Sequence, residues 1–207
     1  MGRDRQEWKC FGNRTTRIMK IDYNSPVILT FSLIAFAVMM ISSLTAGAST
    51  TIFFTAWPSG FMNPMSYLRM FTHVLGHSSW EHLFGNVTLI LLIGPLLEEK
   101  YGSRTMLTMI AITALITGII AIFFMNSGLL GASGIVFMLI LLSSFVNIKS
   151  GHVPLTFIII VALFLGKEFL ASFKPDTISQ FAHIMGGICG SIFGFTHSDQ
   201  QKKGVRS

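Results

Sequence analysis

Several stretches of this chain run for roughly 17–22 residues with almost no charge, about the length of helix that crosses a ~30 Å hydrocarbon core. Nothing else in the sequence limits the fold as strongly. Lipid offers no hydrogen bonds, so a spanning segment must satisfy its backbone internally, and a single apolar run does that only as a helix. Composition agrees. The chain is 51% hydrophobic and 12% charged, whereas soluble domains carry about 25% charged residues. The expectation is an all-α membrane protein built as one compact helical domain.

Six spans can be placed. The first covers about Val27–Ala46, opened by Asn24-Ser25-Pro26, a polar N-cap followed by proline in the first turn. The others cover about Trp80–Leu97, Thr105–Met125, Ala132–Ile148, Val153–Leu170 and Ile178–Thr196. Between the first two lies a long mixed segment, Gly47–Arg69. Its Phe53, Phe54, Trp57, Phe61 and Tyr67 stand beside Pro58, Gly60, Asn63 and Pro64, as expected of a segment lying in the membrane interface. This divides the chain into a basic N-terminal segment (1–24), a six-helix domain (25–197) and a short basic tail (198–207).

Charge sets the orientation. With the N-terminus inside, Arg3, Arg5, Lys9, Arg14, Arg17, Lys20, Lys100, Arg104, Lys149, Lys202, Lys203 and Arg206 all fall on the cytoplasmic side. Only Arg69, Lys167 and Lys174 fall outside. Lys and Arg accumulate in cytoplasmic loops, so both termini are expected in the cytoplasm. The net charge of +6 is therefore read as a topology signal, with no nucleic-acid partner implied. Residues 1–20 are too polar for a typical cleaved signal peptide. Cys10 and Cys189 fall in different environments, which argues against a disulfide framework. A bacterial plasma membrane is the expected location, and the lipid bilayer the first partner.

Polar groups within a span are costly and are functional candidates by default. His82 and Asn86, four residues apart, share one face of the second helix. Ser133 opens the fourth span and His183 lies in the first turns of the sixth. Taken singly, each has a plain reading: a packing serine, an interhelical hydrogen-bonding pair, an interface histidine. In this topology, however, all four fall at the outer ends of their helices, at one depth.

Their surroundings point to acyl-transfer chemistry. Gly131 and Gly134 flank Ser133 and admit a close backbone neighbour. A serine at a helix N-terminus lies among free N–H groups and the positive end of the dipole, which suits an oxyanion. Gly186 and Gly190 form a small-xxx-small pair that lets the sixth helix approach the fourth and carry His183 to Ser133. A serine hydroxyl needs a base, and His183 is the candidate. His82, the Asn86 amide and the Ser133 backbone N–H are the candidate oxyanion donors. No carboxylate lies deep in a span nearby, so a Ser–His dyad is expected. A helix of 17 residues is about 25 Å long, which would set Ser133 below the surface in a pocket reached by water.

These residues resemble the rhomboid family of intramembrane serine proteases. The GxSG motif stands as Gly131-Ala132-Ser133-Gly134, AHxxGxxxG as Ala182 to Gly190, and HxxxN as His82 to Asn86. Arg69-Met70-Phe71-Thr72-His73 followed by His77 is similar to the family's approach to HxxxN, and Glu98 to Gly102 fits ExxxG. The resemblance implies hydrolysis of peptide bonds in or near transmembrane segments of single-span or multi-span membrane proteins. It also implies a lateral gate at the second and fifth helices, a movable loop at about Ala171–Thr177, and structural roles for Arg69 and Glu98. Two positions depart from the common pattern. Leu68 replaces a tryptophan, and Phe137 replaces the tyrosine that stacks on the catalytic histidine. Phe137 keeps the ring and loses the hydroxyl, so slower turnover is the most that is expected.

The alternatives are an inactive rhomboid-like protein that binds membrane clients, and a transporter. The first would typically lack Ser133 or His183. The second would favour acidic residues deep in spans, where only Glu168 qualifies. His73, His77 and His82 invite a metal, but no HExxH is present, and neither metal nor cofactor is expected.

Overall fold

The computed structural model describes residues 23–60, 62–145 and 178–204, with five further helical positions between 155 and 163. Apart from those positions, the expected fifth span lies outside the described residues. So do the loop at Ala171–Thr177, Glu168, Lys149, Lys167, Lys174, Cys10 and the basic N-terminal segment.

Long apolar runs become long helices, even the one that carries Pro95 in its interior. These are α1 (Pro26–Leu44), α4 (Trp80–Tyr101) and α5 (Ser103–Phe124), each long and apolar enough to cross a membrane. The breaker-rich segment between α1 and α4 folds into two short helices, α2 (Ala48–Phe53) and α3 (Pro64–Thr72), and a 3-10 turn at His73–Leu75. Asn63 caps α3 by accepting the Met65 N–H at 3.0 Å, with Pro64 as the first helical residue. The last two helices are α6 (Ser133–Ser144) and α7 (Ile178–Gly204).

Three helix ends differ from expectation. Ser25 adopts φ 52° and its side chain does not cap α1. The carboxylate of Glu98, at the far end of α4, does so instead, accepting the Val27 and Ile28 N–H groups at 3.0 and 2.9 Å. Glu98 is only 3% exposed; its charge is offset by two orphan donors and the positive end of the α1 dipole. Second, α6 spans 12 residues and ends at Ser144, although the apolar sequence runs on. Third, α7 continues past Thr196 to Gly204.

The centre of the molecule is α6. Gly134 to Leu142 are all buried, and Ile135, Met138, Leu139 and Leu142 pack with Ile90, Leu97, Met106 and Met109 from α4 and α5. The outer helices turn large apolar side chains outward: Leu33, Phe36 and Met40 on α1, Leu92 and Leu96 on α4, Ile184, Ile188 and Ile192 on α7. A soluble protein would not leave such continuous stripes bare. Here they form the lipid-facing surface of a helical membrane protein.

Candidate active site

Ser133 owes its position to the four residues before it. Leu129 pairs with Ala56 as an isolated antiparallel bridge, with N–H to carbonyl distances of 2.9 and 3.0 Å. The Gly131 N–H donates to the His73 carbonyl at 2.9 Å. The Ala132 N–H reaches His77 Nε2 at 3.4 Å. The chain then turns at Gly131, whose φ of 118° excludes most side chains, and enters α6 at Ser133. The first helical bond runs from the Val136 N–H to the Ala132 carbonyl at 3.0 Å. The Ser133, Gly134 and Ile135 N–H groups therefore have no intrahelical acceptor. They sit at the positive end of the helix, beside the side chain of the half-buried Ser133.

His82 and Asn86 face this turn from the first two turns of α4. A Cβ on Gly131 would meet His82 Nε2 at 2.9 Å and Asn86 Nδ2 at 3.9 Å, so both side chains lie against the Gly131 backbone. Ser79 caps α4 by accepting the His82 N–H at 3.2 Å. Ser78 Oγ lies 3.2 Å from His82 Nδ1. If Ser78 donates there, the ring proton sits on Nε2, the nitrogen that faces the site. His77 meets His82 edge-on, with ring centroids 5.0 Å apart.

Ser133 meets α7 through glycine. A Cβ on Gly186 would fall on the Gly134 carbonyl, one on Gly190 on the Met138 carbonyl, and one on Gly194 on the Phe145 ring. The partners advance together along both helices, so α6 and α7 run parallel with their backbones in contact. This register lays the His183 ring flat on Phe137, with centroids 4.4 Å apart and planes 5° apart. Phe137 is one turn beyond Ser133 on the same face of α6. His183 and His82 are close enough to be electrostatic neighbours.

Comparison with known proteins bears on the same region. The rhomboid domain model matches residues 64–200. The chain belongs to the rhomboid family. It is 26% identical over 141 residues to the rhomboid protease GlpG of Haemophilus influenzae, covering 66% of this chain and 73% of that protein. It is also 26% identical over 174 residues to the GlpG proteins of Salmonella paratyphi A and Salmonella typhi, covering 83% of this chain. The chain spans 63% of the length of each Salmonella protein.

The rhomboid match opens at α3, and the remaining sequence candidates lie within it. Arg69 Nε donates to the Ile52 carbonyl at 2.8 Å, and the Thr72 hydroxyl to the Phe53 carbonyl at 2.6 Å, tying α3 to α2. His73 Nδ1–H donates to the Arg69 carbonyl at 3.0 Å, leaving Nε2 to accept from the Thr117 hydroxyl at 3.1 Å. Among the described residues no three His, Cys, Asp or Glu side chains converge as a metal site. His73, His77 and His82 instead hold separate hydrogen bonds. Sequence reasoning missed Ser78 and placed His77 only by its motif. A polar residue just before a helix N-cap is a weak signal that would have pointed to Ser78.

Proposed function

We propose that this rhomboid is an intramembrane serine endopeptidase that cleaves peptide bonds in or near transmembrane segments of membrane proteins. Ser133 is its nucleophile and His183 its base. The observation that carries the reading is the His183 ring stacked on Phe137, one helical turn from Ser133, on helices whose backbones touch through Gly134 and Gly186. That arrangement brings a base to the N-terminus of the helix that carries the serine.

The chemistry follows from the groups at hand. His183 takes the hydroxyl proton as Ser133 Oγ attacks the scissile carbonyl carbon. The oxygen that gains charge is met by the free Ser133 N–H, by the Asn86 amide and by His82 Nε2–H. When the intermediate collapses, the C–N bond breaks and His183 returns its proton to the leaving amine. Water, activated by the same ring, then hydrolyses the acyl-enzyme. Ser133 sits at the head of a 12-residue helix, about 18 Å long, so the site lies within the membrane's depth.

The wider frame belongs to the same proposal. It comprises six spans with both termini in the cytoplasm of a bacterial cell, single-span or multi-span substrates, and no cofactor. Ser133→Ala should abolish cleavage of a single-span reporter while the protein stays folded; cleavage at the wild-type rate would sink the assignment. A fluorophosphonate probe should label wild type and leave His183→Ala unlabelled. Equal labelling would remove His183 as the base.

A further inference from the structure

His77 lies in the link between the 3-10 turn and α4, is buried, and has no place in the dyad or among the oxyanion donors. Two of its three polar contacts nevertheless reach toward them. Nδ1 is 3.2 Å from the Leu75 carbonyl, which can only accept, so Nδ1 carries the proton. Nε2 is then a lone pair, and two donors share it: the Asn86 amide nitrogen at 3.1 Å and the Ala132 N–H at 3.4 Å. The ring therefore ties α4 to the residue that immediately precedes Ser133.

We propose that His77 is a positioning residue for the oxyanion site, its Nε2 lone pair fixing which way the Asn86 amide faces and where the peptide before Ser133 lies. Without an acceptor there, the Asn86 side chain can turn its oxygen toward the site and repel the charge it should stabilise. With His77 in place, the amide nitrogen commits one hydrogen to Nε2 and leaves the other for the oxyanion. The second contact holds Ala132, so the Ser133 N–H emerges in a fixed direction relative to that amide. One ring sets the relative geometry of two donors from different helices, and donors aligned in advance are the ones that stabilise developing charge.

The inference rests on the protease reading, and two amide substitutions separate it from a plain structural role. His77→Gln places a carbonyl oxygen near the position of Nε2 and keeps an acceptor for Asn86. His77→Asn reaches only as far as Nδ1; it keeps a donor for Leu75 and loses the acceptor. The full-length protein, reconstituted with a single-span reporter, should show kcat for His77→Gln within about fivefold of wild type. His77→Asn should fall by about 10–100-fold, on the scale of losing one oxyanion donor, with KM changed less than about twofold in both. In an Asn86→Ala background, His77→Asn should cost no more than about threefold further, because the two residues act as a unit.

Three results would overturn the proposal: His77→Asn as fast as His77→Gln, losses that multiply in the double variant, or a loss carried by KM. Ser133→Ala, run alongside, distinguishes the two failures. If it cleaves, the protease reading falls; if it is inert while both His77 variants run at wild-type rate, only the positioning role falls.

Discussion

Ser133 is held from two flanks by different physics. Toward α7 the restraint is steric: Gly186 and Gly190 leave no room for a Cβ between the two backbones. Toward the segment between α2 and α4 it is directional: the Ala56 bridge takes up both backbone groups of Leu129, and the His73 carbonyl and His77 Nε2 take up the Gly131 and Ala132 N–H groups. The steric flank should fail on an atom added at Gly186 or Gly190 and be indifferent to pH. The polar flank should tolerate volume where hydrogen bonds survive, and fail when a ring nitrogen is protonated. Close small-residue contact is how helices associate in lipid, where apolar burial gives little drive. Buried hydrogen bonds fix the orientation that chemistry needs.

The largest effect is expected on the steric flank. Gly186→Ala drives a Cβ onto the Gly134 carbonyl, between two backbones that cannot yield separately. A cost of about 3 kcal/mol or more should follow, with loss of Ser133 labelling. Gly187→Ala, the next residue, is the control. Its Cβ would meet Leu141 Cγ at 3.7 Å, an ordinary contact, and alanine's helix propensity should return up to about 1 kcal/mol. Thermal unfolding in detergent compares the two. If both variants melt alike, backbone contact between α6 and α7 is not what holds this flank.

The polar flank should respond to acid. Burial, opposed by hydrogen bonds to the Arg69 and Met70 backbone, lowers the His73 pKa from 6.5 to about 4. Burial, with the neighbouring His82 adding to it, lowers His77 to about 4 as well. A depressed histidine pKa means that the unfolded chain binds more protons than the folded one between these values. Stability is thus fully present above pH 6.5 and is lost as pH falls toward 4. The loss is at most about 3 kcal/mol per ring, at ~1.4 kcal/mol per pH unit. Melting temperature should therefore fall from pH 7 to 4.5 in wild type and fall less in a His73→Gln/His77→Gln variant. Parallel pH curves would assign the acid sensitivity elsewhere.

The same contrast explains what could be read without coordinates. The steric flank was legible, because Gly186 and Gly190 at four-residue spacing announce a close helix contact and Gly131-Ala132-Ser133-Gly134 marks a helix start. His82 and Asn86 were legible through helical periodicity. The partners of His77 were not, since Asn86 and Ala132 meet it only through tertiary folding, 9 and 55 residues away in sequence. Glu98 capping α1 is of the same kind, with 71 and 70 residues between partners. The end of α6 was hidden because Phe145, Val146 and Ile148 continue the apolar pattern past Ser144. Periodicity reports faces within one element; it says little about which distant group satisfies a terminus.

The smallest expected effect tests whether the steric flank also orients the base. Phe137 supports His183 by a parallel stack at 4.4 Å, and aromatic pairs contribute about 0.5–1.5 kcal/mol beyond their buried area. Phe137→Leu keeps an apolar side chain of similar bulk and removes the ring face, so kcat should fall by about 2–10-fold with KM unchanged. Phe137→Tyr keeps the ring and adds a hydroxyl at its edge, away from the stacked face, and should run at least as fast as wild type. This ordering matters because Phe137 is 8% exposed and packed within α6. Were its role only to fill space, leucine would be the milder change and tyrosine the harsher. A leucine variant faster than the tyrosine variant would show that helix contact alone places His183, with no contribution from the ring beneath it.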